Sequence, residues 1–227
     1  MNLKRGNLIM VKIFIDAGHG GSDSGAIGNG LKEKEINLAI ALDLREILNH
    51  KYKGHAIQLS RTTDQFLSLK QRTDIANQWK ADYLISIHIN AGGGEGFESF
   101  TYSGNYANKR KTNQLRGFIH DAIIKETGFM DRGKKEANFH MLRESRMSAI
   151  LTESGFIDYQ RDANMLKQKA FIHRIALGHA KGLATALGLR RKMGIKLGPV
   201  ISILLKKGIH FGHLLKNIIQ QLTVYWN

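Results

Sequence analysis

The 227-residue sequence contains no cysteine and a single proline, Pro199. Without cysteine the protein can form neither a disulfide framework, nor a thiolate nucleophile, nor a cysteine-type zinc site. Any metal centre in this chain must therefore use histidine, aspartate or glutamate as ligands. A hydrophobic content of 42% over this length supports one substantial α/β domain and at most a small appendage.

Acidic residues are absent from the C-terminal part of the chain. Residues 163–227 contain eleven Lys or Arg and no Asp or Glu, so they carry +11 of the formal net charge of +15. Such a segment binds polyanions, including anionic lipid, nucleic acid and the phosphate polymers of cell walls, and its charge does not choose between them. Apolar residues recur three and four positions apart over 209–222, which predicts a basic amphipathic helix.

Long apolar runs are also missing. No run approaches the length needed to cross a bilayer, so we expect no transmembrane segment. Residues 1–10 begin with basic character, but Lys12 interrupts the apolar stretch and no small-residue cleavage site follows. We therefore expect synthesis in the cytoplasm without a signal peptide, a domain that begins at Val11, and either Met1 or Met10 as the start.

Apolar patterning predicts strands that alternate with helices. The predicted strands are 13–15, 55–60, 83–89, 97–102, 139–142 and 149–152, of which 97–102 is an alternating or edge strand. The predicted helices are 35–49, 67–79, 105–127, 162–169 and 171–187. Leu69 is expected to face inward on the second helix, and 131–135 is expected to be a loop. This alternation predicts a single α/β domain with a mixed, largely parallel central sheet flanked by helices on both faces.

Three imidazole or carboxyl side chains stand where predicted strands end. His19 lies in a glycine-rich turn after the first strand, His88 ends the central strand, and Glu153 follows 149–152. Ligand sites in open α/β sheets gather beyond the carboxyl ends of the strands, so we expect these side chains to converge. Glu33 and Glu35 lie within loop reach of His19, and either could be a fourth member. Two histidines and one carboxylate form a catalytic zinc set with a position left for water, and a further carboxylate can take that water's proton.

Each candidate also has a purely structural interpretation. A glutamate in the first turn of a helix, such as Glu33, commonly serves the helix dipole, and His88 could be a hydrogen-bonded core histidine. Glu153 is harder to explain, because an unpaired carboxylate at the end of a buried run is costly. The eight other histidines are interpreted as solvent-facing or packing residues, and His140 is the one most worth watching. Asp23 stands where a serine nucleophile or the last dinucleotide-binding glycine would be required, so the turn is neither motif.

Residues 11–189 resemble the zinc-dependent N-acetylmuramoyl-L-alanine amidases of the Amidase 3 family, known from sporulation autolysins and phage endolysins. The matching motifs are IDAGHGGSDSGA at 15–26, EK at 33–34, NL at 37–38, SRTTD at 60–64, SL at 68–69, 72–77, AD at 81–82, ISIHINA at 85–91 and ILTESGF at 150–156. Their order and spacing form a highly specific signature. Ala17 stands where proline is common in the family, a change that leaves the neighbouring histidine untouched.

The resemblance implies that His19, Glu33 and His88 bind Zn²⁺, and that Glu153 is the catalytic carboxylate. It thereby selects Glu33 over Glu35. The family hydrolyses the amide that joins the lactyl group of N-acetylmuramic acid to L-alanine in peptidoglycan. Zinc would polarise the carbonyl and lower the pKa of bound water, and the carboxylate would accept the proton and return it to the leaving amine.

The resemblance also implies that Asn90 and Arg143 line the substrate cleft. We divide the chain into an N-terminal extension (1–10), a zinc amidase catalytic domain (11–189) and a basic apolar tail (190–227), which is either an anchor or a vestigial segment. The expected partners are peptidoglycan and, through the tail, anionic wall polymers, with no nucleic acid and with a monomeric chain. The expected role is lysis of the cell wall, in a sporulating mother cell or in phage release. The alternatives are a zinc peptidase that cuts the stem peptide and a non-catalytic module that binds walls or other polyanions.

Overall fold

The computed structural model describes residues 10–192. Within them the strands are β1 (Val11–Ala17), β2 (Ile27–Gly28), β3 (Leu31–Lys32), β4 (Tyr52–Lys53), β5 (His55–Leu59), β6 (Tyr83–Asn90), β7 (Phe97–Tyr102), β8 (Asp131–Ala137), β9 (Ser148–Phe156) and β10 (Arg190–Arg191). The helices are α1 (Glu33–Lys51), α2 (Leu69–Gln78), α3 (Lys109–Thr127), α4 (His140–Arg143), α5 (Gln160–Leu166) and α6 (Lys169–Leu187).

A six-stranded sheet with the order β5-β1-β6-β9-β7-β8 forms the centre of the fold. Strands β5, β1, β6 and β9 are parallel to one another, β7 runs antiparallel to β9, and β8 runs parallel to β7. The predicted mixed, largely parallel sheet is therefore confirmed. The carboxyl ends of β1, β6 and β9 meet at one edge, which is where the candidate site residues lie.

Helices cover both faces of this sheet, as predicted. Helices α1, α3 and α6 pack on one face around Ile13, Ile85 and Ile150, which are fully buried. Helices α2 and α4 pack on the other face against Phe14, Leu84 and other residues of a second buried cluster. Because successive side chains of a strand point to opposite faces, neighbouring residues such as Ile13 and Phe14 pack into different buried clusters.

The prediction of a loop at 131–135 is wrong, since these residues lie within strand β8. The strand is short of apolar residues because it is the edge of the sheet, where polar and charged side chains are common. Its presence also means that β7 is an interior strand, so the expectation of an edge strand at 97–102 is wrong in that respect.

Two further predictions on the α2–α4 face are corrected. The predicted strand at 139–142 is instead helix α4, whose Met141 and Leu142 are buried; a short apolar run is compatible with either structure. Leu69 faces outward and is 53% exposed. It is the first residue of α2, which Ser68 caps in a reciprocal capping box with Gln71, and it belongs to an exposed first turn that includes Lys70 and Gln71.

Residues 190–191 form β10, which pairs with β4. The predicted amphipathic helix at 209–222 and most of the predicted extension at 1–10 lie outside the described residues. Among the residues from 10 to 192, no helix is long and apolar enough to span a bilayer.

Candidate metal centre

Three of the predicted residues come together at the carboxyl edge of the sheet. The Nε2 atom of His19 lies 3.2 Å from Oε2 of Glu33, and Nδ1 of His88 lies 2.9 Å from Oε1 of the same carboxylate. Ligand atoms of the three residues all lie within 4.8 Å of one another. Glu35, the alternative that periodicity left open, is exposed two residues further along α1 and pairs with Lys32.

Glu33 is the first residue of α1 and is only 4% exposed. Its carboxylate accepts hydrogen bonds from the backbone N–H groups of Ala26 (2.9 Å) and Ile89 (3.1 Å). Burial would raise the pKa of Glu33, but hydrogen bonds with His19 and His88 hold that pKa well below its usual range. The carboxylate is therefore ionised at neutral pH, as a metal ligand must be.

The ring of His19 is oriented by Asp23, whose Oδ2 lies 2.8 Å from His19 Nδ1. This contact leaves Nε2 directed at Glu33. Burial opposes protonation of His19, but the hydrogen bonds with Glu33 and Asp23 raise the pKa of His19 to about 9. This role of Asp23 is not evident from the sequence, where its one signal is its position four residues after His19 in the glycine-rich motif.

Two glycines are required where backbone passes closest to the candidate ligands. A Cβ atom on Gly18 would lie 2.3 Å from Cε1 of His88. A Cβ atom on Gly25 would lie 2.5 Å from Oε2 of Glu33, and Gly25 also has a φ of +62°. These positions need glycine both for space and, at Gly25, for the left-handed backbone conformation.

Two buried arginines hold the turn that carries His19. Arg61 donates hydrogen bonds to the carbonyl oxygens of residues 17 (3.0 Å) and 18 (2.9 Å). Arg72 donates to the carbonyl oxygens of residues 17 and 19, each at 2.7 Å, and forms an ion pair with Asp16 at 2.8 Å. His19 itself has a φ of 60°, which is uncommon for a residue other than glycine. The arginines thus stabilise an unfavourable backbone conformation. Both belong to the family motifs, at 60–64 and 72–77, but the sequence does not show that their side chains bind this turn.

Glu153 lies on β9 directly opposite His88 on β6. Within the described residues, its Oε2 atom is buried and has no hydrogen-bond partner. Burial raises the pKa of Glu153 to about 7, with His88 opposing the shift and the charges of Glu33 and Glu98 adding to it. A carboxyl group with this pKa can both accept and donate a proton near neutral pH.

A cavity of about 420 Å³ opens beside His19 and His88. Phe66 and Leu69, each 53% exposed, form an apolar wall of this cavity. Asn90 ends β6 two residues after His88, and its Nδ2 donates a hydrogen bond to Glu98.

The structure does not bring Arg143 to this centre. Arg143 lines a second cavity of about 430 Å³ together with Tyr102 and Ser148. Ser148 begins β9, whereas Glu153 lies near the other end of that strand. His140, the additional histidine that the sequence singled out, lies on α4 with its Nε2 3.3 Å from Thr73 Oγ1 and is not part of the three-residue cluster.

The donor set fits a catalytic zinc ion. Two histidine nitrogens and one carboxylate are a common catalytic zinc set that leaves a position for water. The unpartnered Glu153 oxygen beside them is suited to hold a proton of such a water. An α/β domain with this arrangement beyond the carboxyl ends of its strands is typical of a metal-dependent hydrolase.

Residues 13–185 match the N-acetylmuramoyl-L-alanine amidase family, Amidase 3. The chain is 56% identical over 182 residues to the sporulation-specific N-acetylmuramoyl-L-alanine amidase of Bacillus subtilis strain 168, covering 80% of this chain and 70% of that protein. It is 45% identical over 186 residues to the endolysin of Bacillus phage SPP1, covering 80% and 68%. The solved catalytic domain of CwlV, an N-acetylmuramoyl-L-alanine amidase of Paenibacillus polymyxa, superposes with a TM-score of 0.74 at 34% identity, covering 80% of this chain and all of that domain.

The chain therefore belongs to the N-acetylmuramoyl-L-alanine amidase family, which confirms the resemblance found in the sequence. It is a peptidoglycan amidase that hydrolyses the bond between N-acetylmuramic acid and L-alanine.

Proposed function

We propose that this amidase is zinc-dependent, with His19, Glu33 and His88 as the metal ligands and Glu153 as the catalytic carboxylate. The observation that carries the proposal is the approach of three ligand atoms to within 4.8 Å beside a buried carboxylate oxygen without a partner in the described chain. One chain supplies all four residues, so we propose that it acts as a monomer.

A bound zinc ion supplies Lewis acidity, which polarises the scissile carbonyl and acidifies water. Glu153 accepts a proton from the attacking water while the oxygen bonds to the carbonyl carbon. Glu153 then donates that proton to the nitrogen of L-alanine as the C–N bond breaks. The products are the lactyl carboxylic acid of N-acetylmuramic acid and a free amino group on L-alanine. Asn90 and Arg143 line the substrate cleft in this proposal, with Arg143 contributing from the cavity beside Tyr102 and Ser148.

Replacement of Glu153 tests the mechanism. Glu153→Gln should lower the release of new L-alanine amino groups from purified cell walls by about 10²–10⁴-fold, the usual contribution of a general acid–base, and should retain zinc. Glu35→Gln on the exposed face of α1 is the matched control and should behave as wild type. Undiminished hydrolysis by Glu153→Gln would contradict the role given to Glu153. Mass spectrometry of the digested walls tests the bond cleaved, because a stem peptidase would expose a different amino terminus.

The cellular role is proposed from the relatives and the charge. The names of two relatives, a sporulation-specific amidase and an endolysin, favour action on the cell wall during mother-cell lysis or phage release. We propose that the basic segment 190–227 retains the enzyme on anionic wall polymers, since it contains no acidic residue.

Charge removal in the full chain tests this retention. Replacing Lys206 and Lys207 with Gln should release the protein from purified walls at lower salt than wild type, because fewer charges contact the polyanion. Replacing Lys111 and Lys125 on α3 with Gln removes the same charge and should leave the salt dependence unchanged. Equal effects of the two double substitutions would show that only net charge matters and that the segment has no special part.

A further inference from the structure

A buried carboxylate beside Glu153 holds two basic side chains, Arg132 and Lys135, which we name the basic pair. Glu98 on β7 is paired directly with Glu153 on β9 in antiparallel register and is 5% exposed. Its Oε2 accepts a hydrogen bond from Arg132 Nε at 2.9 Å and another from Lys135 Nζ. Its Oε1 accepts from Nδ2 of Asn90 at 2.8 Å. The basic pair is thus held on a carboxylate that lies opposite Glu153 in the sheet and contacts Asn90.

The basic pair has more charge and more donors than Glu98 can satisfy. One carboxylate faces two cations, so the cluster carries a net charge of +1. Within residues 10–192, Arg132 uses Nε for Glu98 and one Nη for the carbonyl of Glu95 at 3.4 Å, which leaves its other Nη group free. Lys135 donates only to Glu98 among these residues, although an ammonium group has three N–H bonds. The side chains of Arg132 and Lys135 are 29% and 40% exposed, so an anion can reach them.

The position of Arg132 is fixed from two sides. Glu98 anchors its Nε, and its guanidinium lies 4.7 Å from the ring centroid of Phe156, at the end of β9. A guanidinium held in this way is preorganised to bind a carboxylate through its remaining donors. The cluster therefore has the character of a built anion site rather than of a solvated surface charge.

The distance between the basic pair and Glu153 indicates which group of the substrate the basic pair can bind. Neighbouring strands lie about 4.8 Å apart. Glu98 is one strand away from Glu153, and Arg132 and Lys135 are two strands away on β8 and reach back to Glu98. Their charged groups therefore lie roughly 5–10 Å from the Glu153 carboxyl group. One extended residue spans about 3.3–3.6 Å. The sugars of the glycan strand are neutral, whereas the D-glutamyl residue that follows L-alanine in the stem peptide carries the first carboxyl group within this range.

We propose that Arg132 and Lys135 bind the α-carboxylate of the second stem residue and so direct the peptide half of the substrate toward β7 and β8. This assignment rests on the proposed function, because the distance is counted from Glu153. Amidation of that carboxyl group should weaken binding of the stem peptide, because it removes the negative charge and one of the two acceptor oxygens.

Two peptides that differ in one group test the proposal. The zinc-loaded full chain is titrated by calorimetry with L-Ala-γ-D-Glu-L-Lys-amide and with the same peptide bearing an α-carboxamide on the D-glutamyl residue. Wild type should bind the carboxylate peptide about tenfold more tightly, the usual contribution of a charge-assisted hydrogen bond. Arg132→Met and Lys135→Met should each lose most of this preference while binding the carboxamide peptide as wild type does. Each single variant leaves one cation on Glu98, which protects the fold.

Lys111→Met on the exposed face of α3 is the control and should keep the full preference. Equal binding of both peptides by wild type, no binding of either, or a variant that loses affinity for both peptides by the same factor would overturn the proposal. Cell-wall hydrolysis by the same samples reports on the proposed function separately. A wild type that discriminates the peptides but releases no L-alanine amino groups from walls would overturn the function and leave the carboxylate subsite standing.

Discussion

His88 and Glu153 occupy paired positions on the adjacent parallel strands β6 and β9, and the register of the two strands shifts immediately beyond this pair. Paired side chains on neighbouring strands project from the same face of the sheet, so the two groups emerge side by side at its carboxyl edge. His88 belongs to the candidate metal cluster with His19 and Glu33, whereas Glu153 does not. Metal binding and proton transfer can therefore be separated by substitution.

Replacement of His88 should remove the metal, whereas replacement of Glu153 should not. His88→Gln deletes one of three ligand atoms and should weaken zinc affinity by more than about 100-fold, since loss of an outer partner alone commonly costs 10–100-fold. Glu153→Gln should retain one zinc ion per chain while losing activity. Metal analysis after dialysis against a weak chelator makes the comparison. Zinc loss from Glu153→Gln equal to that from His88→Gln would refute the division of roles.

Removal of Asp23 should weaken zinc binding without removing a ligand. Asp23 orients the His19 ring through Nδ1, and outer partners of this kind commonly contribute 10–100-fold to metal affinity. We expect Asp23→Ala to lower the zinc affinity by that factor in a competition titration with a chromophoric chelator. Asp43→Ala, which removes a similar contact to His173 on an outer helix, should leave the affinity unchanged.

Gly25→Ala should disrupt the metal centre, whereas Gly30→Ala should not. Both glycines have positive φ, so either substitution costs about 1 kcal/mol of backbone strain. Only at Gly25 would the new Cβ meet a candidate ligand, Glu33, at 2.5 Å; nothing lies within 4 Å at Gly30. Zinc affinity should fall for the first variant alone. Equal affinities in the two variants would show that the close approach at Gly25 has no bearing on the centre.

Arg72→Met should destabilise the whole domain. Arg72 is paired with the fully buried Asp16, and breaking a buried ion pair by removing one partner costs about 3–5 kcal/mol. Urea unfolding should show this loss, and adding Asp16→Asn should restore part of it because the uncompensated charge is then gone. Lys70→Met, which breaks an exposed pair with Asp74 on the same helix, should change stability little.

His179 should make stability fall below pH 6.5. The ring is fully buried on α6, with Nδ1 2.8 Å from the carbonyl oxygen of Ile175 and Nε2 3.0 Å from the hydroxyl of Thr152. Burial lowers the pKa of His179 to about 4. Between pH 6.5 and 4 the unfolded chain binds a proton that the folded chain does not, so the free energy of unfolding decreases as pH falls.

This contribution should reach about 2 kcal/mol by pH 5, calculated from the two pKa values. We expect the loss of stability between pH 7.5 and pH 5, measured by urea unfolding, to be smaller by this amount in His179→Gln. An identical loss in the variant and wild type would show that His179 does not carry the dependence.

The short and polar parts of the fold were not predictable from patterning. Strand β8 has the sequence DRGKKEA, and only its place beside β7 makes it a strand. Helix α4 has four residues, too few for a helical period to be distinguished from a strand. Both errors arise because long-range pairing, rather than local preference, decides the conformation of such segments.

The supporting residues of the site were equally hidden. Arginine is seldom buried, yet Arg61 and Arg72 are, because the carbonyl oxygens of the His19 turn and the carboxylate of Asp16 satisfy them. These partners are more than 40 residues away in sequence, and periodicity says nothing about them. Glu98 on β7 was hidden in the same way, because Arg132 and Lys135 follow it by 34 and 37 residues and meet it only through the pairing of β7 with β8.

The sequence by itself determined the α/β class, the family and the polar residues at the strand ends. Apolar runs that end in glycine or polar residues specify buried parallel strands, and the geometry of such a sheet brings their carboxyl ends to one edge. The tertiary structure decided which of these residues meet. It buries Glu33 against two histidines and leaves Glu35 in solvent, and it places Arg143 at the other end of β9. A one-dimensional pattern can place a residue on an element, but only the packing of elements sets the distance between two side chains.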